Sequence, residues 1–299
     1  MFDVDDKYRI VNAIYAEWVR THWQTPDIEN FFRFISLHNT TGRKLVIPAT
    51  GEEFDYKTIE RYLIWYIASY VHYSTTFERN LPDHYFEFAE SLKGYGERYS
   101  VLTFNYDLVL EDAILDSDVG GLNYGLGYFE DLPEFCAPKG IPVLKMHGSL
   151  NWQKCDECGD YVISEDSLNH VFRRERCGGR CDGMLSPVIV PPVPDKAQYL
   201  GAKNQIWAKA LDQLTNADEL VILGYSMPAI DESALALIRD AITTNTDLTV
   251  DIVNPGLEVI SAVGNRLGLG DLGSEQDPGQ YMAVPLDFKR YVDEFISER

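Results

Sequence analysis

The first third of the chain carries apolar residues at the spacing of an amphipathic helix. Between residues 55 and 73, Ile59, Leu63, Tyr66 and Tyr70 recur every three or four positions and share one helical face. Thr25-Pro26-Asp27 is typical of a helix start. Helices are therefore predicted over residues 7–23, 27–35, 55–73 and 83–92. We interpret residues 1–95 as a helical layer that packs on a sheet.

From residue 99 the pattern changes to short, continuous apolar runs. They cover residues 100–103, 142–146, 220–223 and 248–253, and helical spacing returns at 205–214 and 231–243. Strands that alternate with helices and are apolar throughout are typical of a parallel sheet buried on both faces. The chain is therefore predicted to be an α/β protein with a Rossmann-like parallel sheet. Its ligands should bind beyond the carboxyl ends of the strands.

Polar residues that could bind a ligand follow each of these runs. In chain order they are Thr103, Asn105 and Asp107, then His147, then Gly224 and Ser226, then Asn254. Each alone has a structural interpretation, since a histidine after a strand is often a hydrogen-bonded polar residue and Ser226 could cap a helix. Together they place a base, amide and carboxylate groups and a helix amino terminus at adjacent strand ends. Such a set suits a ligand that carries phosphate.

Four of the five cysteines form two pairs within a short segment. Cys155 and Cys158 are separated by two residues, Cys177 and Cys181 by three, and 18 residues lie between the pairs. Four thiolates from two tight turns can surround Zn²⁺ as a tetrahedron, which leaves no open position for catalysis. We therefore predict a structural zinc ribbon over residues 151–184, with a degenerate or redox-active cluster as the alternative. Cys136 lies outside the pattern and is predicted to be a small buried apolar side chain.

Charge and composition limit the partners of the protein. The 299 residues include 47 acidic and 26 basic side chains, a formal net charge of -21, and 45% are hydrophobic. A surface of this sign repels a phosphate backbone, so direct binding to nucleic acid is not expected. The apolar stretch 62–71 is too short to cross a bilayer, the first residues do not resemble a signal peptide, and clustered cysteines suit a reducing compartment. We expect a protein of the cytoplasm without a membrane partner.

The motifs between residues 100 and 256 follow one another in a distinctive order. They are Thr103-x-Asn105-x-Asp107, His147-Gly148-Ser149, the four cysteines, Gly183-x-Leu185-x-Pro187-x-Ile189-Val190, Gly224-x-Ser226 and Asn254. This order resembles the sirtuin (silent information regulator) family. Phe-Asn-Tyr-Asp, His-Gly-Ser-Leu-Asn-Trp and Gly-Tyr-Ser-Met-Pro with Asp231 are similar to a prokaryotic sirtuin-like branch, many members of which are linked to anti-phage defence.

The resemblance implies NAD⁺ as the ligand and a role for each strand-end residue. His147 is implied to be the general base at the ribose, and Asn105 to position the incoming nucleophile. Asn105 and Asp107 would contact nicotinamide and its ribose. Gly224 and Ser226 would bind phosphate and the adenosine ribose, and Asn254 would hold the adenosine side. The implied NAD⁺-binding residues are Thr103, Asn105, Asp107, Gly224, Ser226 and Asn254.

Three departures from the family pattern bear on function. Sirtuins open with a strand and a Gly-Ala-Gly-x-Ser loop that cradles the pyrophosphate, and nothing similar precedes Asp27. We therefore expect residues 1–299 to fold and hold zinc, but to bind NAD⁺ poorly and to hydrolyse it slowly or not at all. Phe104 stands where sirtuins carry Gln. Pro192-Val193-Pro194 stands where deacylating sirtuins carry Phe-Gly-Glu, and prolines cannot donate the backbone hydrogen bonds that pair a strand with a peptide.

Three functions are consistent with this resemblance. An NAD⁺ glycohydrolase, which releases nicotinamide and ADP-ribose, is favoured because the Phe-Gly-Glu segment is replaced. An NAD-dependent protein deacylase is the alternative, and a non-catalytic zinc-ribbon module that senses nucleotides or acts as a scaffold is the third. The expected partners are NAD⁺ and, through the resemblance, a partner defence protein. Assembly into a homo-oligomer is left as an alternative to a monomer. We expect a single domain over 1–299, with 96–150 and 185–299 as the Rossmann-like core.

Overall fold

Helices form most of the described amino-terminal part of the chain. The structure is a computed structural model, and it describes residues 4–22, 28–39, 41–47, 50–76, 81–93, 98–117, 120–126, 134, 136, 139–164, 176–177, 181–191, 205–228, 230–269 and 281–296. The helices are α1 (Val4–His22), α2 (Ile28–Asn39), α3 (Tyr56–Thr76), α4 (Asp83–Lys93), α5 (Val109–Asp116), α6 (Gln205–Thr215), α7 (Glu232–Thr244), α8 (Leu257–Leu267) and α9 (Phe288–Tyr291), which continues as a π turn, Val292–Ile296. The predicted helices are confirmed, with bounds that shift by a few residues. The helix start signal at Thr25-Pro26-Asp27 lies outside the described residues.

The first three helices bury a common apolar core. Phe31, Phe32 and Ile35 of α2 pack with Ile59 and Leu63 of α3, and none of these side chains has exposed surface. Ile59 and Leu63 are buried as the apolar spacing of α3 predicts, since residues three and four apart share a face. Tyr70, predicted on the same face, is 67% exposed, so the buried face does not extend to it. Within the described residues, no helix is both long enough and apolar enough to cross a membrane.

The described strands form two parallel sheets, one antiparallel sheet and one two-stranded antiparallel hairpin. They are β1 (Lys44–Val46), β2 (Glu53–Asp55), β3 (Val101–Thr103), β4 (Leu122–Asn123), β5 (Ile141–Lys145), β6 (Gly148–Cys155), β7 (Tyr161–Ile163), β8 (Leu185–Ile189), β9 (Glu219–Leu223), β10 (Thr249–Val253) and β11 (Tyr281–Val284). β1 and β2 pair as an antiparallel hairpin before α3. The sequence did not predict this hairpin.

The predicted strands β3, β5, β9 and β10 are all parallel. They lie in two three-stranded sheets, ordered β3-β5-β4 and β11-β10-β9. The parallel α/β fold is therefore confirmed, although the described strands form two sheets because β3 and β9 each pair on one side only. Thr103 is opposite Lys145 in one sheet and Leu223 is opposite Val253 in the other. The carboxyl ends of neighbouring strands are thus level.

A third sheet is antiparallel, in the order β7-β6-β8. Its central strand, β6, follows β5 directly in the chain. β6 begins at Gly148, three residues after β5 ends. On one side of this sheet, Ala68 of α3 packs against Leu150 and Ile189. The amino-terminal helices therefore contact the sheet that carries both the histidine motif and the first cysteine.

Candidate functional site

Main-chain hydrogen bonds continue past the ends of the parallel strands and align the predicted site residues. The N–H of Met146 donates to the carbonyl of Thr103 at 2.9 Å, just before His147. In the other sheet, the N–H of Gly224 donates to the carbonyl of Val253 at 3.0 Å. The residues singled out after each apolar run therefore lie where the sequence predicts, at the carboxyl edges of the two parallel sheets.

His147 is buried among aromatic side chains from two strand ends. Its residue is 5% exposed. The ring of Phe104 contacts the imidazole edge-on, with centroids 5.0 Å apart, and Phe104 also stacks on Tyr225 at 4.4 Å with an interplanar angle of 11°. Tyr106 lies 6.3 Å from the imidazole between ring centroids. Phe104 thus joins the end of β3 to the segment after β9.

The glycine after His147 is required by the backbone. Gly148 has φ +85°, a region that a side chain disfavours, and a Cβ there would collide with the main-chain carbonyl of Val188. β8 passes directly over this position, since Gly148 is opposite Ile189 and the N–H of Val190 donates to the His147 carbonyl at 2.9 Å. The main chain at His147 is therefore held by β8, and the neighbouring Met146 is held by Thr103.

Asp231 and Tyr225 complete the surroundings of the imidazole. The carboxylate oxygen Oδ1 of Asp231 lies 3.7 Å from His147 Nε2, and the two side chains are each 7% exposed. The hydroxyl of Tyr225 donates to Oδ2 of the same carboxylate at 2.6 Å. Burial raises the pKa of Tyr225, so its hydroxyl stays protonated and acts as a donor at neutral pH.

The remaining strand-end residues are more exposed. Asn105 is exposed, and its N–H donates to the Thr103 hydroxyl at 3.2 Å. Asp107 and Asn254 are half-buried, and each uses one side-chain oxygen to fix the turn that follows its strand. Asp107 accepts from the N–H of Val109 at 3.1 Å, and Asn254 accepts from the N–H of Gly256 at 3.0 Å.

The structure corrects the placement of Ser226. Gly224 has φ +67° and both it and Ser226 are exposed, but the next helix, α7, begins only at Glu232, with Asp231 as its N-cap residue. The interpretation of Gly224-x-Ser226 as a helix start with Ser226 as a cap is therefore wrong. The reason is that residues 224–228, directly after β9, are not helical, so several residues separate the strand from the helix.

A buried ion pair lies beneath the first strand end. The Lys145 ammonium is 2.8 Å from the Glu111 carboxylate, and the side chains are 1% and 3% exposed. Lys145 also donates to the main-chain carbonyl of Asp107. Burial raises the pKa of Glu111, and the nearby ammonium opposes that rise. The pair connects β5, α5 and the segment that carries Asn105 and Asp107.

The four predicted metal ligands come together. The sulfur atoms of Cys155, Cys158, Cys177 and Cys181 all lie within 4.8 Å of one another. Cys155 and Cys181 are 3.3 Å apart and Cys158 and Cys177 are 3.7 Å apart. Four thiolates bound to one Zn²⁺ would be separated by about 3.8 Å, given Zn–S bonds of about 2.3 Å. The cluster is therefore positioned to hold a metal ion, as its spacing predicts.

Main-chain groups close to Cys155 favour its thiolate form and leave room for its sulfur atom. Main-chain N–H groups, first that of Cys158 and then that of Glu157, lower the pKa of the Cys155 thiol to about 7. A Cβ at Gly183 would lie 2.6 Å from the Cys155 sulfur, so the chain can pass this close only as glycine. Cys136 lies outside the cluster and packs against the main core, although it is half-buried and not fully buried as predicted.

The fold and the site together define a Rossmann-like α/β protein with polar residues at its strand ends and an inserted four-cysteine ribbon. A family model described as the SIR2-like domain matches residues 99–250, just over half of the chain. The chain belongs to the SIR2-like family, and the resemblance to sirtuins is confirmed. The narrower resemblance to the anti-phage branch stays a prediction.

Similar solved structures are distant in sequence. A Sir2 homologue mutant in complex with ADP-ribose has 15% identity and a TM-score of 0.48, with 81% of this chain and 76% of that chain covered. Sir2 bound to an acetylated peptide has 17% identity and a TM-score of 0.40, with 72% and 69% covered. No curated protein matches the chain.

Sequence reasoning missed the roles of Lys145, Glu111, Tyr225 and the Asp231 carboxylate. A signal for the ion pair was available, because Lys145 is a charged residue inside an otherwise apolar run and such residues are rarely buried without a partner. Asp231 was singled out only as part of a family motif. As the first residue of the predicted helix 231–243, it gave no sign of a contact with His147.

Proposed function

We propose that this chain cleaves the bond between nicotinamide and ribose in NAD⁺ and releases nicotinamide and ADP-ribose. The observation that carries the proposal is a buried imidazole, His147, at the strand ends of a SIR2-like domain. Asn105, on the strand end next to it, supplies an exposed amide. An oriented base and amide at one sheet edge are the groups that this cleavage needs.

The chemistry is a substitution by water at the ribose carbon. The electron pair of the breaking C–N bond leaves with the nicotinamide nitrogen, and positive charge develops on the ribose. The oxygen of water then bonds to that carbon, and its proton passes to His147, which acts as the general base and later releases it to solvent. Aromatic rings around His147 limit access of bulk water, which strengthens electrostatic interactions with the developing charge.

The other strand-end residues bind the parts of NAD⁺ that the family resemblance assigns to them. Asn105 positions the water, and Thr103 and Asp107 contact nicotinamide and its ribose. Gly224, Ser226 and Asn254 hold the phosphate and adenosine portions. Support for these last three is their position at the carboxyl edge of the β11-β10-β9 sheet, where ligands of parallel α/β proteins bind.

Hydrolysis is preferred to deacylation because of the segment after β8. It carries Pro192-Val193-Pro194 in place of Phe-Gly-Glu, and prolines cannot donate the backbone hydrogen bonds that pair a strand with a peptide. Most of this segment lies outside the described residues, so the argument is one of sequence. We place the activity in cytoplasmic anti-phage defence, on the resemblance of the motifs alone.

The four-cysteine cluster is proposed to hold one structural Zn²⁺. It offers four thiolates and no open coordination position, so the ion has no part in the reaction. As part of the same proposal we keep the division of the chain into a helical layer, 1–95, a ribbon, 151–184, and a core of 96–150 and 185–299.

The test is release of nicotinamide from NAD⁺ by the purified protein without any peptide, followed by liquid chromatography. Saturating NAD⁺ and long incubation are used, because weak binding and slow hydrolysis are expected where no Gly-rich loop precedes Asp27. His147→Ala and Asn105→Ala should each lower the rate by about 10²-fold or more, because a positioned base or amide is lost. His38→Ala is the matched control, since His38 lies at the end of α2 and contacts Phe34. It should keep the rate of the unsubstituted protein.

Other outcomes select the other functions. Nicotinamide release that requires an acylated lysine peptide would indicate a deacylase. NAD⁺ binding without release under any condition would indicate a non-catalytic module. An unchanged rate in His147→Ala would show that this histidine is not the base.

A further inference from the structure

Asp231 occupies a helix-capping position without capping the helix through its side chain. It is the residue before Glu232, the first residue of α7, and aspartate there normally accepts a hydrogen bond from a main-chain N–H of the first turn. No such side-chain bond forms, although the Asp231 carbonyl accepts from the N–H of Leu235 at 3.1 Å. The carboxylate is thus turned away from the helix.

Both carboxylate oxygens of Asp231 point towards groups of the site. Oδ2 accepts from the Tyr225 hydroxyl at 2.6 Å, and Oδ1 lies 3.7 Å from His147 Nε2. Burial of a carboxylate is unfavourable unless partners compensate for lost water. The tyrosine fixes the orientation of the carboxylate, because it holds one oxygen and leaves the other beside the imidazole.

A carboxylate beside a buried imidazole changes what that imidazole can do. It favours the tautomer with a proton on the nearer nitrogen, and it stabilises the imidazolium that forms when the ring accepts a proton. The distance of 3.7 Å is longer than a hydrogen bond, and contacts of this kind commonly tighten when substrate binds.

We propose that Asp231 is a positioning residue for His147, with Tyr225 holding the carboxylate in place. Asp231 selects the Nε2–H tautomer of His147 and stabilises its protonated form during nicotinamide release. This proposal rests on the proposed function for its kinetic consequence. Its structural consequence, the tautomer, can be measured without turnover.

The kinetic experiment separates a site role from a helix role. Asn and Ser cap helices as well as Asp does, so Asp231→Asn and Asp231→Ser should preserve α7 and the melting temperature. We expect kcat for nicotinamide release to fall by roughly 10²-fold in both, with KM for NAD⁺ little changed, because orientation of the base is lost. Asp231→Glu should recover part of the loss, and Tyr225→Phe should show a smaller fall in kcat. Unchanged kcat in both Asp231→Asn and Asp231→Ser would overturn the proposal.

The second measurement is independent of activity. Nitrogen chemical shifts of the His147 ring, assigned with His147→Ala, report which nitrogen carries the proton. In the unsubstituted protein we expect Nε2–H, since a carboxylate can accept only from a protonated nitrogen. Neutral His147 with its proton on Nδ1 alone would overturn the proposal. A protein that shows the Nε2–H tautomer but releases no nicotinamide would support the placement of Asp231 and reject the proposed hydrolysis.

Discussion

At the scale of single residues, the buried charges of Glu111 and Lys145 beneath the site carry a large desolvation cost. Transfer of a carboxylate and an ammonium out of water carries a desolvation cost of several kcal/mol per ion. Glu111 and Lys145 offset this by their contact at 2.8 Å, and Lys145 makes a further bond to the Asp107 carbonyl. The pair therefore also constrains the segment that carries Asn105.

Removal of one partner should destabilise the protein more than removal of both. Lys145→Met leaves the Glu111 carboxylate buried without its cation, and we expect the free energy of unfolding to fall by about 3–5 kcal/mol. The double variant Lys145→Met with Glu111→Leu should recover most of that loss, since apolar side chains of similar size replace the pair. Urea unfolding at neutral pH measures both. Equal unfolding free energies for Lys145→Met and the double variant would contradict this, because removal of Glu111 would then relieve no cost of an unpaired buried carboxylate.

At the residue level, positions could be predicted where a local motif carried the information. Short spacings in the chain placed the four cysteines together and placed His147 and Asn105 at the strand ends. The contacts of Asp231 with His147 and of Lys145 with Glu111 join segments that are distant in sequence. Such contacts depend on how strands and helices are placed in space, which spacing alone does not specify.

At the scale of elements, continuous apolar runs were the reliable signal. β3, β5, β9 and β10 were predicted because strands buried on both faces contain few polar residues. β6 was not predicted, because Ser149, Asn151 and Gln153 make it look polar although all three are buried. The hairpin β1–β2 was missed for another reason, since strands of three residues with an exposed, half-buried, exposed pattern give almost no periodic signal.

The start of α3 offers a test of a single helix cap. Asp55 precedes the helix, and its carboxylate accepts from the Thr58 N–H and the Thr58 hydroxyl, both at 2.8 Å. These bonds, the main-chain one first, lower the pKa of Asp55. Asp55→Ala should lower the free energy of unfolding by about 1 kcal/mol at pH 7.

The sign of the pH dependence follows from the lowered pKa. The ionised cap contributes fully above the unfolded-state value, near pH 4, and the contribution is lost as pH falls through the lower folded-state value. The difference between Asp55→Ala and the unsubstituted protein should therefore narrow below about pH 4. Asp55→Asn is the control, because its amide oxygen keeps the cap but does not titrate in this range. A difference that widens in acid would contradict this assignment.

At the scale of the whole molecule, β6 links the two functional regions. It begins at Gly148, next to the buried histidine, and ends at Cys155, the buried member of the cysteine cluster. α3 packs on the same sheet from the amino-terminal side. The order of layers was predictable from the change in apolar spacing at residue 99, but the division of the parallel strands into two sheets was not, because strand order depends on contacts distant in sequence.

Metal removal should therefore affect more than the ribbon. We expect close to one zinc per chain by metal analysis, since four thiolates lie within 4.8 Å of one another. Cys155→Ser or Cys177→Ser should lower the zinc content and reduce the melting temperature by roughly 5–10 °C, because a ligand that binds only the folded state stabilises it. Hydrogen exchange should increase along β6, β7 and β8 after treatment with a chelator. Cys136→Ser is the matched control, because Cys136 lies outside the cluster and its loss should leave the zinc content unchanged. Full zinc retention in the double variant Cys155→Ser with Cys177→Ser would mean that the cluster is not the metal site.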